Sequence, residues 1–132
     1  MLPTENYEVL IVGSGEAGKY LAWTLAGSGK RTALVERMYV GGSRPNIACL
    51  PSKNVVHSAK VASYFRRSQE FGIRTQNWSV DMVGVRARKR RMVDDLIAVH
   101  LDRFKSSGAE PVLGEGKFIA PRSLQVTLRD GT

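Results

Sequence analysis

The sequence predicts an α/β fold: a parallel sheet built around a strand–helix–strand unit, with a small antiparallel β element near the carboxyl end. Three observations carry this. An apolar, β-branched run at 8–12, EVLIV, leads straight into the glycine-rich GSGEAG of 13–18. A second such run, RTALVE at 31–36, follows a stretch with helical spacing. Two short segments, around 117–120 and 123–128, close on Asp130-Gly131. Short apolar runs bounded by turn residues read as buried strands. A strand–helix–strand crossover is expected to be right-handed with parallel strands.

The elements follow in order. Tyr20, Leu21, Leu25 and the alanines around them give the first helix, stopped at Gly27-Ser28-Gly29. A second helix is expected to start near Pro51, since proline suits the first helical turn. It carries Val55, Ala59 and Ala62 and is closed by Phe71-Gly72. A third, long helix is expected from Ser79 or Asp81 to about Ser107-Gly108. Val93, Leu96, Ile97, His100 and Phe104 share one face of it. Continued backward, that face meets Lys89 and Arg86 before Met82, so the inner stripe turns basic. Either the stems snorkel or that half faces something other than the local core.

Bulk properties narrow the class. A chain of 132 residues is one domain by the usual prior and long enough for a real core. Hydrophobic residues at 42% and charged residues at 24% describe an ordinary globular protein rather than a disordered one. The single cysteine, Cys49, excludes an internal disulfide framework and fits a reducing, cytoplasmic setting. The amino terminus lacks the basic-then-apolar pattern of a signal peptide, and no run of about 18 apolar residues exists to span a membrane. Asn77-Trp78-Ser79 matches a glycosylation pattern that carries no weight without secretion. A net charge of +8 favours anionic partners. Five of the six residues from Arg86 to Arg91 are basic. No aromatic platform or finger-type metal spacing accompanies them, so a solvated helix is expected rather than a nucleic-acid surface.

The motif with the clearest chemistry is the glycine loop. Gly13, Gly15 and Gly18 lie directly between a strand and a helix. There the first permits a tight turn, the second lets backbone approach a pyrophosphate, and the third lets helix and strand pack closely. The helix amino terminus is then aimed at the anion. Glu36 ends the second strand, where a carboxylate can accept hydrogen bonds from both hydroxyls of an adenosine ribose. The motif alone leaves FAD and NAD open.

Taken together, GSGEAG, ALVER, GGSRPNIACLPSK and LGEGKF resemble the opening part of the pyridine nucleotide-disulfide oxidoreductases, over essentially the whole chain. The resemblance implies a Rossmann-like FAD-binding domain over 1–132, with the nicotinamide and dimerisation domains of the family absent. It implies FAD at this site, with NAD(P)H bound by a separate domain. Gly13, Ser14, Gly15, Glu16, Ala17 and Gly18 would hold the FAD pyrophosphate. Glu36, with Arg37 beside it, would meet the adenosine ribose; Arg37 does not signal NADP, because this is the FAD site. Gly42 and Ser43 would lie along the cofactor, and Gly116 would approach its adenine end. Lys53 would sit beside the flavin, paired with a carboxylate. Cys49 takes the place of the family's second, flavin-touching cysteine.

Three departures stand out. Arg44 replaces the first redox cysteine, Ala48 replaces the glycine that usually precedes Cys49, and Glu16 replaces a common proline or glycine. A disulfide needs two sulfurs, so the dithiol relay is expected to be lost and electrons to pass directly from flavin to acceptor. Cys49 starts a helix, with Lys53 one turn on and Arg44 nearby. All three favour a thiolate, and a small packing residue is the plain alternative. His57 and His100 match no family position and read as helix residues. The leading function is therefore the FAD-binding part of a flavin-dependent NAD(P)H oxidoreductase, inactive as this chain alone, with missing domains or a second subunit as partner. A stand-alone or vestigial dinucleotide-binding module without turnover is the alternative.

Overall fold

The structure is a computed structural model that describes residues 4–131. The first three residues of the stretch read for a signal peptide lie outside it. The elements are β1 (Val9–Val12), α1 (Glu16–Gly27), β2 (Thr32–Glu36), a short α2 (Ser43–Asn46), α3 (Cys49–Arg66), a 3-10 turn (Ser68–Phe71), α4 (Met82–Ser107), β3 (Glu110–Ala120) and β4 (Ser123–Leu128). They form a mixed α/β fold on a sheet of order β1-β2-β3-β4. β1 and β2 are parallel, Val9 opposite Thr32 and Val12 opposite Val35. β2 and β3 are also parallel, Ala33 opposite Glu110 and Glu36 opposite Leu113. β3 and β4 form an antiparallel hairpin, Gly114 opposite Leu128 and Phe118 opposite Leu124.

β2 is the centre of the molecule, and all five of its residues are buried. On one face Leu34 joins Ala22 of α1 and Phe104 of α4, with Ile11, Trp23, Ile97 and Leu113 packed around them. Full burial of side chains the size of Leu34 and Phe104 contributes about 1.5–3 kcal/mol each. The opposite face of β2 is covered by the hairpin, where a Cβ on Gly116 would stand 3.3 Å from Val35 Cγ1. α4 starts on an Asp81 cap, whose carboxylate accepts from Val83 N–H at 3.0 Å, and stops at Gly108 in the left-handed conformation.

Several expectations need correction. β1 was expected to be buried, yet Leu10 and Val12 are 39% and 55% exposed. It is an edge strand, bonded to β2 alone, and the core packs against its Ile11 side. α3 begins at Cys49, not Pro51, and α2 was not foreseen. Of the three apolar positions expected on α3, only Ala62 is half-buried; Val55 and Ala59 are exposed, and Asn54 and Ser58 take the inner face instead. Asn54 and Ser58 meet α4, where Arg88 Nη2 donates to Asn54 O at 2.5 Å and to Ser58 Oγ at 2.6 Å. The inner stripe of α4 does turn basic, but through Arg88 and Lys89, with Arg86 exposed. β3 begins seven residues before the expected 117, at Glu110, and supplies the third parallel strand. Pro111 hides that segment from sequence reading. Proline is tolerated at edges, and the pairings of 110–113 are to β2 alone.

Candidate functional site

The site is the junction of β1, α1 and the segment after β2. Gly13 has φ +94 and its N–H donates to Val35 O at 2.8 Å, which turns the chain sharply out of β1. A Cβ on Gly18 would lie 2.0 Å from Gly13 O and 3.4 Å from Ile11 Cγ2, so only glycine lets α1 sit this close to β1. A Cβ added at Gly13 or Gly15 would meet nothing within 4 Å. Among the described residues no side chain caps α1. An uncapped helix start beside an open glycine cradle suits a phosphate group, through orphan N–H groups and the helix dipole. These residues fit the diphosphate of a dinucleotide.

The segment after β2 is tied onto this cradle. Glu36 Oε2 accepts from Ser14 N–H at 2.9 Å and the Ser14 hydroxyl at 2.6 Å. Its Oε1 accepts from Met38 N–H at 2.7 Å and Tyr39 N–H at 3.1 Å. Burial alone would raise the Glu36 pKa and is the largest single influence, but these four hydrogen bonds outweigh it and hold it below the ordinary carboxylate value. The fully buried Ser14 hydroxyl also accepts from Gly41 N–H at 3.0 Å. Gly42 has φ +80, and a Cβ there would be 2.6 Å from Gly15 Cα, so the two loops touch backbone to backbone.

A charged cluster borders the cradle. Lys19, 3% exposed, donates to Glu16 Oε1 at 2.5 Å and lies 3.3 Å from His100 Nε2. Arg44 Nη1 donates to Glu16 Oε2 at 2.8 Å. The hydrogen bond from Lys19 is the main reason that the Glu16 pKa is lowered; burial opposes it, and Arg44 adds to it. An ammonium can only donate, so His100 accepts at Nε2 and carries its proton on Nδ1. Burial first, and the Lys19 charge second, lower the His100 pKa. Its buried Nδ1 has no partner among the described residues, and a Cβ on Gly41 would stand 2.4 Å from it.

The structure thus brings together Gly13, Ser14, Gly15, Glu16, Ala17, Gly18, Glu36, Gly42 and Ser43. Arg37 is exposed. Gly116 lies in the hairpin, where a Cβ would be 2.7 Å from Leu124 Cδ2. Cys49 is a free, exposed thiol at the start of α3. Lys53 is exposed, and among the described residues it forms no ion pair with a carboxylate. Sequence reasoning set His100 on the inner face of the long helix, as the structure has it, but missed Lys19 and its contact with His100. The Glu16–Lys19 spacing of three in a helix was the available signal for the first. A groove of about 440 Å³ lies elsewhere, between α3 and the start of α4, lined by Phe65, Trp78 and Arg88 among others. It does not touch the cradle. Among the described residues no helix is long and apolar enough to cross a membrane, and no cluster of metal-ligating side chains occurs.

A parallel strand–helix–strand unit with the glycine turn between its first strand and helix defines the Rossmann-like α/β class. Residues 7–118 match the family model described as pyridine nucleotide-disulphide oxidoreductase, and the chain belongs to that family. It is 34% identical over 127 residues to a dihydrolipoyl dehydrogenase of Mycoplasma pneumoniae, covering 92% of this chain and 27% of that one. It is 27% identical over 127 residues to a mercuric reductase of Lysinibacillus sphaericus, covering 96% of this chain and 23% of that one. Among solved structures, the HOCl-induced flavoprotein disulfide reductase RclA from Escherichia coli, as its Cu(II) complex, superposes with a TM-score of 0.79 at 30% identity. The match covers 97% of this chain and 26% of RclA. The chain therefore spans about a quarter of the length of these relatives, which are oxidoreductases.

Proposed function

We propose that residues 1–132 are the FAD-binding, Rossmann-like domain of a flavin-dependent NAD(P)H oxidoreductase that works in the cytoplasm and passes electrons through the flavin without an internal redox disulfide. The observation that carries this reading is the open cradle at Gly13 and Gly15 at an uncapped α1, in a chain of this family. The backbone of 13–18 would hold the diphosphate, and Gly42 and Ser43 would follow the cofactor toward its ring. Lys53 would stand beside the flavin and Gly116 toward the adenine. Glu36 would take the ribose by exchanging the Ser14 hydroxyl for a ribose hydroxyl, since its four acceptor positions are filled. When bound, FAD would supply two-electron chemistry; the protein's part is binding, orientation and exclusion of water. NAD(P)H, the electron acceptor and a dimer partner would meet segments outside these residues. Arg44 leaves the loop with one sulfur, which supports direct transfer from flavin to acceptor.

The test is reconstitution. The purified chain, incubated with FAD and freed of excess, should retain a flavin spectrum, and calorimetry should show ADP and FAD binding in preference to NAD. No heat with either ADP or FAD would remove the reading. The saturated Glu36 carboxylate favours a second reading, a module that binds nucleotide weakly and does not turn over. A complex that binds ADP but never holds the flavin would select it.

A further inference from the structure

Positions 16 and 44, two of the three at which this chain departs from the family pattern, are 28 residues apart and meet in space: Arg44 Nη1 lies 2.8 Å from Glu16 Oε2. Glu16 occupies the first turn of α1, next to the glycine cradle. A carboxylate there opposes the positive end of the helix field on which a diphosphate depends. Lys19 takes its other oxygen at 2.5 Å. With Arg44 the three side chains sum to one net positive charge; without it they sum to zero. The side chains of Glu16 and Arg44 are 38% and 55% exposed, and ion pairs this open contribute little to folding. Fold stability therefore gives little reason for this pair.

Resting on the dinucleotide reading above, we infer that Arg44 is a positioning residue for the FAD diphosphate, and that it compensates Glu16. Its guanidinium cancels the Glu16 carboxylate, so the α1 amino terminus keeps a positive field toward the ligand. The glycine at 42 makes the contact possible, because it lets the loop bearing Arg44 lie against Gly15. On this view the position of the lost sulfur serves the electrostatics of cofactor binding. The substitutions at 16 and 44 form a pair, and a cysteine returned to 44 alone should weaken the cofactor site.

The experiment is a double-mutant cycle on the full chain with Glu16→Gln, Arg44→Gln and the double variant. Binding of FAD, ADP and adenosine is measured by calorimetry at low and moderate salt, with thermal midpoints recorded alongside. Arg44→Gln should weaken FAD and ADP about tenfold and leave uncharged adenosine within about twofold, a coupling of ordinary size for contacting charges. Glu16→Gln should bind at least as tightly as the parent. The double variant should return to within about threefold of the parent, and Arg44→Cys should behave like Arg44→Gln. Equal losses for ADP and adenosine would overturn the proposal, because they would mark a structural role. A double variant as weak as Arg44→Gln would overturn it as well. If the parent binds neither ADP nor FAD, the dinucleotide reading itself fails and takes the pairing with it; if the parent binds and Glu16→Gln does not rescue the loss caused by Arg44→Gln, only the pairing fails.

Discussion

The Glu36 carboxylate reaches back from the end of β2 to Ser14, accepting its N–H at 2.9 Å and its hydroxyl at 2.6 Å. One buried side chain thus locks the glycine loop to the segment that follows β2. Glu36→Gln should destabilise the fold by about 1–3 kcal/mol, because one amide group cannot accept all four N–H and O–H bonds. Ser14→Ala keeps the backbone bond and should cost about 1 kcal/mol. Urea unfolding of the two variants measures both. A Glu36→Gln protein as stable as the parent would show that the carboxylate is held for ligand alone.

The glycines separate folding from binding. Gly18→Ala puts a methyl 2.0 Å from Gly13 O. It should push α1 off β1, lowering the thermal midpoint and nucleotide affinity together. Gly15 has φ −60, and a Cβ there would meet nothing within 4 Å. Gly15→Ala should leave stability unchanged or raise it by about 0.4–1 kcal/mol, while the added methyl enters the cradle and abolishes ADP binding. Melting curves and calorimetry on the two variants check this; parallel behaviour would contradict it.

The glycine loop, both helices around β2 and β2 itself were legible because glycine spacing and apolar runs are local signals. The inner face of α3 was not. Asn54 and Ser58 face α4 because Arg88 supplies hydrogen bonds, and no apolar period records that. Glu110–Leu113 was missed for a similar reason: a proline and a glycine-rich continuation conceal a strand whose place is set by β2. In the site, the Glu16–Arg44 contact joins residues far apart in sequence, and the burial of Lys19 depends on α4 packing over α1.

Acid should loosen the chain in two steps. The His100 pKa is depressed below its ordinary 6.5 by burial and by Lys19. The unfolded chain therefore binds a proton that the folded chain refuses, and stability falls as pH drops through about 6.5. The Glu16 and Glu36 pKa values are lowered. Their contribution is present above the ordinary carboxylate value and is lost as pH falls below it. Lys19 and Glu16 of α1 are the charges facing His100, and the Trp23 ring lies 5.8 Å away. His100→Gln stays neutral and can still accept from Lys19. Thermal midpoints between pH 7.5 and 5.5 should flatten in that variant and leave the acid limb below pH 4.5 in place.

Cys49 is exposed and has no second cysteine to pair with. One equivalent of a maleimide should react with the native chain at a rate close to that of the unfolded chain. Cys49→Ser should change stability by less than about 0.5 kcal/mol, as for other surface positions. Thiol titration before and after urea distinguishes this from a shielded sulfur, which would react only once unfolded.

The parallel contact between β2 and β3 pairs Ala33 with Glu110 across everything from α2 to α4. Closing a loop that long is slow in entropy terms, and the reward comes only when both strands are in register. β1, α1 and β2 are near neighbours in sequence and can assemble early, as can the β3–β4 hairpin. The late event is then the arrival of β3 at the free edge of β2, with Phe104 sealing the core behind it. Until it happens, the all-buried strand TALVE stands with one edge open to any other chain. Slower arrival of Glu110 at Ala33 should therefore show as more self-association during refolding at raised protein concentration.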